Sequence, residues 1–172
     1  MSDLEELLER NRATQRHHEV LPILPRRSLI VVSCLDARTD PTHFLGLAPG
    51  EALVLRNVGA RVTPEIALQI AFIAAISRKN GGPPPTLMLV HHTNCGAESL
   101  ARAEVREAMA GSVGVAAEGL EAFAIGDHDA SLREDLGRLQ ASPYALGGVT
   151  VNGLRLDHTT GGLDLRFTEV LA

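Results

Sequence analysis

The stretch Ser28-Leu29-Ile30-Val31-Val32-Ser33-Cys34 is an apolar run of strand length that ends in a cysteine. A second run, Thr86-Leu87-Met88-Leu89-Val90, leads into His92 and Cys95. Continuous apolar runs of this kind are typical of parallel strands that are buried on both faces. Because helical patterns follow the strands, the sequence predicts an α/β fold with a mainly parallel central sheet flanked by helices.

The two ends of the chain predict elements outside this parallel core. We expect an exposed helix over residues 2–19, because Ser2 and Glu5 have the spacing of a capping box and a few leucines form a narrow apolar stripe. A helix this polar is marginal alone, so it should pack on another surface, in the same subunit or in a neighbour. The alternating apolar and polar residues on either side of residues 157–162 predict a C-terminal hairpin.

Shorter patterns predict the remaining elements. Thr63-Pro64 combines a hydroxyl cap with a first-turn proline and predicts the start of a helix. Asn80-Gly81-Gly82 predicts the end of that helix. The other expected elements are a short helix at 41–46, a strand at 51–55, and helices at about 96–109 and 129–140. Residues 116–124 stay open between helix and loop.

Composition argues against several functional classes. The 172 residues carry a formal net charge of −5 and few aromatic side chains (four Phe, one Tyr, no Trp), so we expect no nucleic-acid partner. The acidic N-terminus lacks a signal-peptide pattern, and no apolar stretch approaches the ~20 residues of a membrane span. Two cysteines without an export signal suggest reduced thiols in the cytoplasm. We expect one domain, residues 1–172, in which residues 1–27 form an N-terminal helix and an extended arm.

The two cysteines and one histidine form a candidate metal site. Cys34, His92 and Cys95 follow two predicted strands, and functional groups collect at the carboxyl ends of parallel strands. Two thiolates and an imidazole suit Zn²⁺, and three protein ligands leave one coordination position open, as in catalytic zinc sites. Such a site makes hydroxide from water near neutral pH. The neighbouring His91 should point to the opposite face of its strand, so it is not a candidate ligand.

Two simpler interpretations compete with the metal site. Two buried core thiols would explain the cysteines alone, since cysteine is among the most buried residue types, but they would leave Asp36 and Arg38 beside Cys34 without a purpose. A disulfide between Cys34 and Cys95 would leave His92 idle and would suit a different compartment.

The motifs Cys34-x-Asp36-x-Arg38 and His92-x-x-Cys95-Gly96, separated by Arg56-Asn57-x-Gly59, resemble those of the β-class carbonic anhydrases, most closely the short bacterial and archaeal members. The resemblance implies Zn²⁺ bound by Cys34, His92 and Cys95, and reversible hydration of carbon dioxide to bicarbonate. It also implies a parallel sheet extended across a homodimer, in some cases a homotetramer. This chain has Asn94 where the family commonly has aspartate, and it lacks the tryptophan that some members use in a non-catalytic bicarbonate pocket.

Asp36 and Arg38 are the expected catalytic pair beside the metal. The resemblance implies that Asp36 either pairs with Arg38 or binds the metal as a fourth ligand. If Arg38 holds the carboxylate in a charge-assisted pair, the open position is free, and Asp36 can orient the attacking oxygen. Because two thiolates cancel the charge of Zn²⁺, the metal is a weaker Lewis acid than one held by three histidines. We therefore expect activity to rise on the alkaline side.

The substrate pocket and the route of the proton are less defined by the sequence. Asn57, Gly59 and Gly96 are the expected pocket residues, with the two glycines allowing close approach of the backbone. The sequence assigns no proton relay, although His43 and His91 are near the motifs. Two alternatives to carbon dioxide hydration stay open: hydrolysis of carbon disulfide or carbonyl sulfide, and a non-catalytic zinc- or bicarbonate-binding module.

Overall fold

Five strands form one sheet in the computed structural model, which describes residues 2–15 and 18–172. The strands are β1 (Leu29–Cys34), β2 (Ala52–Asn57), β3 (Thr86–His92), β4 (Thr150–Leu156) and β5 (Leu163–Val170). The α-helices of the described residues are α1 (Asp3–Thr14), α2 (Pro41–Phe44), α3 (Pro64–Lys79), α4 (Ala103–Val113), α5 (Ala117–Glu121) and α6 (His128–Gln140). Short 3₁₀ turns cover Ala37–Thr39, Val58–Ala60 and Gly96–Ala101.

The strand order is β2-β1-β3-β4-β5, and all neighbouring pairs are parallel except the antiparallel pair β4–β5. The predicted α/β class, the mainly parallel sheet and the C-terminal hairpin are therefore confirmed. Because the first three strands run in the same direction, the last residues of β1, β2 and β3 lie at the same edge of the sheet. Those last residues are Cys34, Asn57 and His92.

Side chains of the central strands pack on both faces of the sheet. Ile30 and Val32 belong to the larger core cluster, which also contains Ile70 of α3 and Leu132 of α6. Val31, between them, belongs to a second and smaller cluster. This alternation follows from the two-residue period of a strand, and it explains why the runs are apolar at every position.

Most predicted element boundaries agree with the structure. The Thr63 hydroxyl accepts a hydrogen bond from the backbone N–H of Ile66 at the start of α3, as the capping pattern predicts. The Ser2–Glu5 capping box is also present, and α1 is shorter than predicted, with residues 16 and 17 of the predicted helix lying outside the described residues. Residues 116–124, for which the sequence did not decide between helix and loop, contain α5.

One predicted helix is divided in two. The helix expected over residues 96–109 begins as a 3₁₀ turn and resumes as α4, because Arg102 adopts an extended backbone conformation with ψ 125°. The sequence contains no proline or glycine pair at this point that would have announced the break. In the described part of the chain, no helix is both long and apolar enough to span a bilayer.

A buried ionic cluster joins α6 to the loop before α3. Asp135 is fully buried and accepts hydrogen bonds from Arg61 Nε (2.9 Å), from the backbone N–H of Val62 (3.0 Å) and from Arg138 (3.2 Å). His91 Nε2 lies 3.2 Å from the same carboxylate, and burial lowers the pKa of His91. His91 is therefore a neutral donor to Asp135 within this cluster.

Asp135→Asn should destabilise the protein strongly. Arg61 is also buried, so loss of the carboxylate leaves its charge incompletely compensated, and we expect the free energy of unfolding to fall by about 3–5 kcal/mol. Urea denaturation measures the loss. Glu134→Gln is the matched control, because Glu134 contacts the same guanidinium at 2.6 Å from an exposed position, where an ion pair contributes about 0–1 kcal/mol. Equal losses in the two variants would contradict the importance of burial.

Candidate metal centre

Cys34, His92 and Cys95 converge at the carboxyl edge of the sheet. One ligand atom from each residue lies within 4.8 Å of the others, and the two sulfurs are 3.8 Å apart. All three side chains are buried, with 1–5% of their surface exposed. Cys34 comes from the last position of β1 and His92 from the last position of β3, so the sheet itself sets their separation.

The segment between His92 and Cys95 turns sharply so that both side chains face the same point. Asn94 has a φ of 55°, in the left-handed region of the backbone. Asparagine tolerates this conformation better than most residues, since its short polar side chain bonds locally. The next residues form the 3₁₀ turn that begins after Cys95, where the backbone N–H of Glu98 donates to the carbonyl oxygen of Cys95 at 3.0 Å.

The orientation of the His92 ring fits a metal ligand. Its Nδ1 lies 3.1 Å from the carbonyl oxygen of Thr93, which can only accept, so Nδ1 carries the proton. Nε2 is therefore an unprotonated acceptor, it is buried, and it has no hydrogen-bond partner among the described residues. A buried nitrogen lone pair without a partner costs free energy unless something binds it. Two cysteine sulfurs lie within 4.8 Å of a ring nitrogen of His92, and sulfur and imidazole nitrogen are ligands that Zn²⁺ prefers.

The two cysteine sulfurs lie within hydrogen-bond distance of each other, and the pKa values of their thiols move in opposite directions. The pKa of Cys34 is lowered to about 4, chiefly because the Cys95 thiol donates to its sulfur, with further help from His92 and from the backbone N–H groups of Asp36 and Gly59. The pKa of Cys95 is raised by the same partner and by burial. One thiolate is thus already favoured, and a divalent cation would favour the second, because a metal-bound thiol is deprotonated outright.

The carboxylate of Asp36 is held by Arg38. Arg38 Nε donates to Oδ1 at 2.9 Å and NH2 donates to Oδ2 at 2.6 Å, which is a bidentate pair. The pair holds the pKa of Asp36 well below its usual range, with the side-chain hydrogen bonds of Arg38 as the largest cause. Arg38 NH2 also donates to the carbonyl of Asn94 at 3.0 Å. The guanidinium therefore joins the β1 loop to the loop that carries Cys95.

Arg56 also holds the backbone of the segment that follows β1, residues 34–36. Its Nε donates to the carbonyl of Cys34 at 2.9 Å, and its NH2 donates to the carbonyl of Asp36 at 2.7 Å. These two bonds indicate a positioning role, because they fix the backbone between the ligand and the carboxylate.

The predicted pocket residues lie at the same edge but differ in their surroundings. Asn57 pairs with Cys34 in the ladder, donates to the carbonyl of Arg61 at 2.7 Å, and leaves its buried Oδ1 without a partner in the described structure. Gly59 has a φ of 71°, and a Cβ there would lie 3.0 Å from the carbonyl of Phe123, so close approach requires glycine. A Cβ at Gly96 would meet nothing within 4 Å, so contacts within the chain do not require glycine there, and its place in the pocket stays a prediction.

Two residues that were not predicted from the sequence, Glu98 and His128, hold the backbone at Cys95 in place. Glu98 accepts a hydrogen bond from the backbone N–H of Cys95 at 2.9 Å, and His128 Nε2 lies 3.1 Å from the same carboxylate oxygen. The three-residue spacing from Cys95 to Glu98 is that of a capping box, which was a usable sequence signal. The contact with His128 had no such signal, because it joins residues 30 positions apart.

A large surface cavity lies away from this centre. It has a volume of about 470 Å³ and lies between the start of α3 and the end of α6. Its lining includes Val62, Ala67, Ala122 and Tyr144, and none of the candidate site residues contributes to it. This cavity is therefore not part of the candidate metal centre.

Comparisons with known proteins agree with this geometry. The family model described as Carbonic anhydrase matches residues 29–124. Beta-carbonic anhydrase 1 of Mycobacterium bovis is 30% identical over 145 residues, which are 84% of this chain and 85% of that protein. The crystal structure of carbonic anhydrase from Streptococcus mutans has a TM-score of 0.78 at 28% identity, covering 97% of this chain and 99% of that one. A structure of carbon disulfide hydrolase has a TM-score of 0.62 at 21% identity, covering 94% and 88%.

Proposed function

Because the chain belongs to the β-carbonic anhydrase family, we propose that it catalyses the zinc-dependent, reversible hydration of carbon dioxide to bicarbonate and a proton. The observation that carries the proposal is the convergence of a His92 ring nitrogen and two cysteine sulfurs within 4.8 Å of one another, where Nε2 of His92 is buried and has no hydrogen-bond partner among the described residues. The carboxylate of Asp36, which Arg38 keeps ionised, lies in the same part of the molecule.

Cys34, His92 and Cys95 are the residues that would hold Zn²⁺. Zinc bound there would lower the pKa of a water molecule and so supply a nucleophile close to neutral pH. The backbone N–H groups directed at the sulfurs stabilise thiolate, and the carbonyl of Thr93 keeps the proton of His92 on Nδ1. Each of these contacts prepares a ligand before the metal arrives.

Asp36 would orient the attacking water rather than remove its proton. Because Arg38 lowers the pKa of Asp36, the carboxylate stays ionised throughout the neutral range, and an ionised carboxylate only accepts hydrogen bonds. Oδ1 accepts from both the backbone N–H and Nε of Arg38, whereas Oδ2 accepts only from NH2 and keeps a lone pair that Arg38 does not use. A water that donates to this lone pair turns its own lone pair towards the carbon of the substrate. The role of Asp36 as a fourth metal ligand stays a prediction, since its carboxylate is bonded to Arg38 here.

Stopped-flow hydration of carbon dioxide between pH 6.5 and 9 tests the proposed function, with the zinc content measured in the same sample. We expect about one zinc per chain and a rate that rises with pH. Titration of Asp36 cannot produce that rise, because its pKa lies far below this range. A rate no higher than that of the buffer at any pH, with zinc bound, would instead favour a non-catalytic binding module.

The other heterocumulene substrates have weaker support. The likeness to carbon disulfide hydrolase, at 21% identity, shows a shared fold and does not favour that activity. A direct comparison of carbon dioxide with carbon disulfide and carbonyl sulfide, on the same zinc-loaded sample, decides between the substrates. Higher turnover of a sulfur compound would overturn our choice.

We also propose that the protein is a homodimer or homotetramer. None of the described residues of α1 is buried, and Leu4, Leu7 and Leu8 of its apolar stripe are about half to two-thirds exposed. In addition, β2 is an edge strand of the sheet, with one side open to pairing. Light scattering measures the assembly, because one chain has a mass of 18.3 kDa and a monomer would contradict the proposal. The single-domain organisation and the cytoplasmic location stay predictions.

A further inference from the structure

His158 contacts the loop that carries two of the three candidate metal ligands. Its Nδ1 lies 2.8 Å from Thr93 Oγ1, and its Nε2 lies 3.3 Å from Asn94 Nδ2. The backbone N–H of His158 also donates to Thr93 Oγ1 at 3.1 Å. Thr93 and Asn94 are the two residues between His92 and Cys95, so three contacts join His158 to this segment.

These contacts leave a proton-accepting nitrogen on His158. The side-chain amide nitrogen of Asn94 can only donate, so it donates to Nε2 of the imidazole. In this tautomer the ring is neutral and its proton is on Nδ1, towards Thr93. An added proton would go to Nε2, and the amide of Asn94 can then turn its oxygen towards the ring. Both protonation states of His158 therefore have hydrogen-bond partners at residue 94.

The position of His158 is suited to exchange with solvent. Asn94 is exposed and His158 is partly exposed, whereas His92 and Cys95 on the inner side of the same loop are buried. The hairpin turn holds the ring in place, because Asp157 accepts from the backbone N–H of Gly161 and of Thr159 at 2.8 Å. The imidazole is thus fixed at the boundary between the candidate site and bulk water.

We propose that His158 accepts the proton released during carbon dioxide hydration and passes it to solvent. This inference depends on the proposed function. Each turnover converts CO₂ and H₂O into HCO₃⁻ and H⁺, so one proton must leave for each bicarbonate formed. An O–H bond of water breaks, an N–H bond forms at Nε2, and the imidazolium then gives the proton to a buffer base. Imidazole suits this exchange, because its charge normally changes close to neutral pH.

The charged groups around His158 allow the ring both to take up a proton and to release it. Asp157, the preceding residue, is a carboxylate whose pKa is lowered chiefly by the backbone N–H groups of Thr159 and Thr160, with a smaller contribution from the charge of Arg155 in β4. On the other side, Arg38 and Asp36 form their own pair and reach His158 only through Asn94. The ring contacts of His158 among the described residues are Thr93 and Asn94, both neutral, so no carboxylate in that part of the chain is hydrogen-bonded to the ring and holds the proton on it.

His158→Gln keeps polar contacts with Thr93 and Asn94 but cannot carry the proton. In weak buffer we expect kcat to fall by about 10-fold, less than the 10²–10⁴-fold of a positioned acid–base group because solvent replaces it in part. We expect kcat/KM and zinc content to stay unchanged, and added imidazole to restore kcat. The matched control is His43→Gln, because His43 is an exposed histidine that contacts none of the candidate ligands, and its kcat should not change.

A second measurement does not depend on activity. NMR detects reversible protonation of the His158 ring at Nε2 directly, and Asn94→Asp should favour the protonated ring, because a carboxylate would then contact it. An unchanged kcat for His158→Gln in weak buffer, a loss of zinc in that variant, or a ring that does not titrate would each overturn the inference. Failure of the wild-type protein to hydrate carbon dioxide would overturn the proposed function instead, so the two failures are distinguishable.

Discussion

Cys34→Ser should lose zinc and activity together. Serine keeps the shape of the side chain but offers a hydroxyl that stays protonated at neutral pH, so the site loses one of its two thiolates. Zinc affinity should fall by more than the roughly 10–100-fold that loss of an outer contact costs. Hydration of carbon dioxide should fall to the rate of the buffer alone. Metal analysis after dialysis and stopped-flow assays on the same sample measure both quantities.

The neighbouring residue provides a control for damage to the strand. Ser33 is fully buried beside Cys34, and its hydroxyl has no hydrogen-bond partner among the described residues. Ser33→Ala should therefore retain zinc and activity. Full retention of zinc by Cys34→Ser would refute the ligand assignment. Loss of zinc by Ser33→Ala as well would mean that the strand, rather than the sulfur, determines binding.

Asp36→Asn should keep zinc but lose most of its turnover. The amide has the same shape, but one of its two oxygens is replaced by an NH₂ group, so it no longer forms the bidentate pair with Arg38. The attacking water then loses an ionised acceptor, and we expect kcat to fall about 10²–10³-fold, the usual cost of removing one positioned electrostatic contact. The comparison of kcat with bound zinc per chain separates orientation from metal binding.

A second arginine pair serves as the control for Asp36. Asp129 forms the same kind of two-point contact with Arg166, with Nε donating at 2.7 Å, at a partly exposed position outside the candidate site. Asp129→Asn should leave kcat and zinc content unchanged. A near-normal kcat in Asp36→Asn would remove the orienting role. If Asp36→Asn also lost its zinc, the carboxylate would have to be regarded as part of metal binding.

Local sequence patterns were sufficient for the sheet and for the convergence of the three candidate metal ligands. The apolar runs of β1 and β3 predicted their burial, and the cysteines and His92 were expected at the strand ends where the structure has them. Because side chains point alternately to the two faces of a strand, the sequence also predicted that His92, and not His91, is the candidate ligand in β3, and His91 contacts Asp135 instead. These inferences succeeded because burial of a parallel strand and the direction of its side chains depend on residues adjacent in the chain.

Other features required the folded chain. The division of the helix after Cys95 at Arg102 had no proline or glycine signal. The close packing of Gly59 and the open space around Gly96 could not be told apart, since both are glycines next to a motif. In these cases the deciding contacts come from residues distant in sequence.

By itself, the sequence determined the α/β class, the parallel sheet and the Cys-His-Cys donor set, because each is encoded in short spacings along the chain. The hydrogen bonds that fix the position of these side chains and of the surrounding loops could be seen only in the folded chain. Arg38 reaches Asn94 across 56 positions, His158 reaches Thr93 across 65, and Asp135 reaches Arg61 across 74. Hydrogen bonds depend on distances of about 3 Å between atoms, and residue spacing does not specify such distances until the strands and helices have packed.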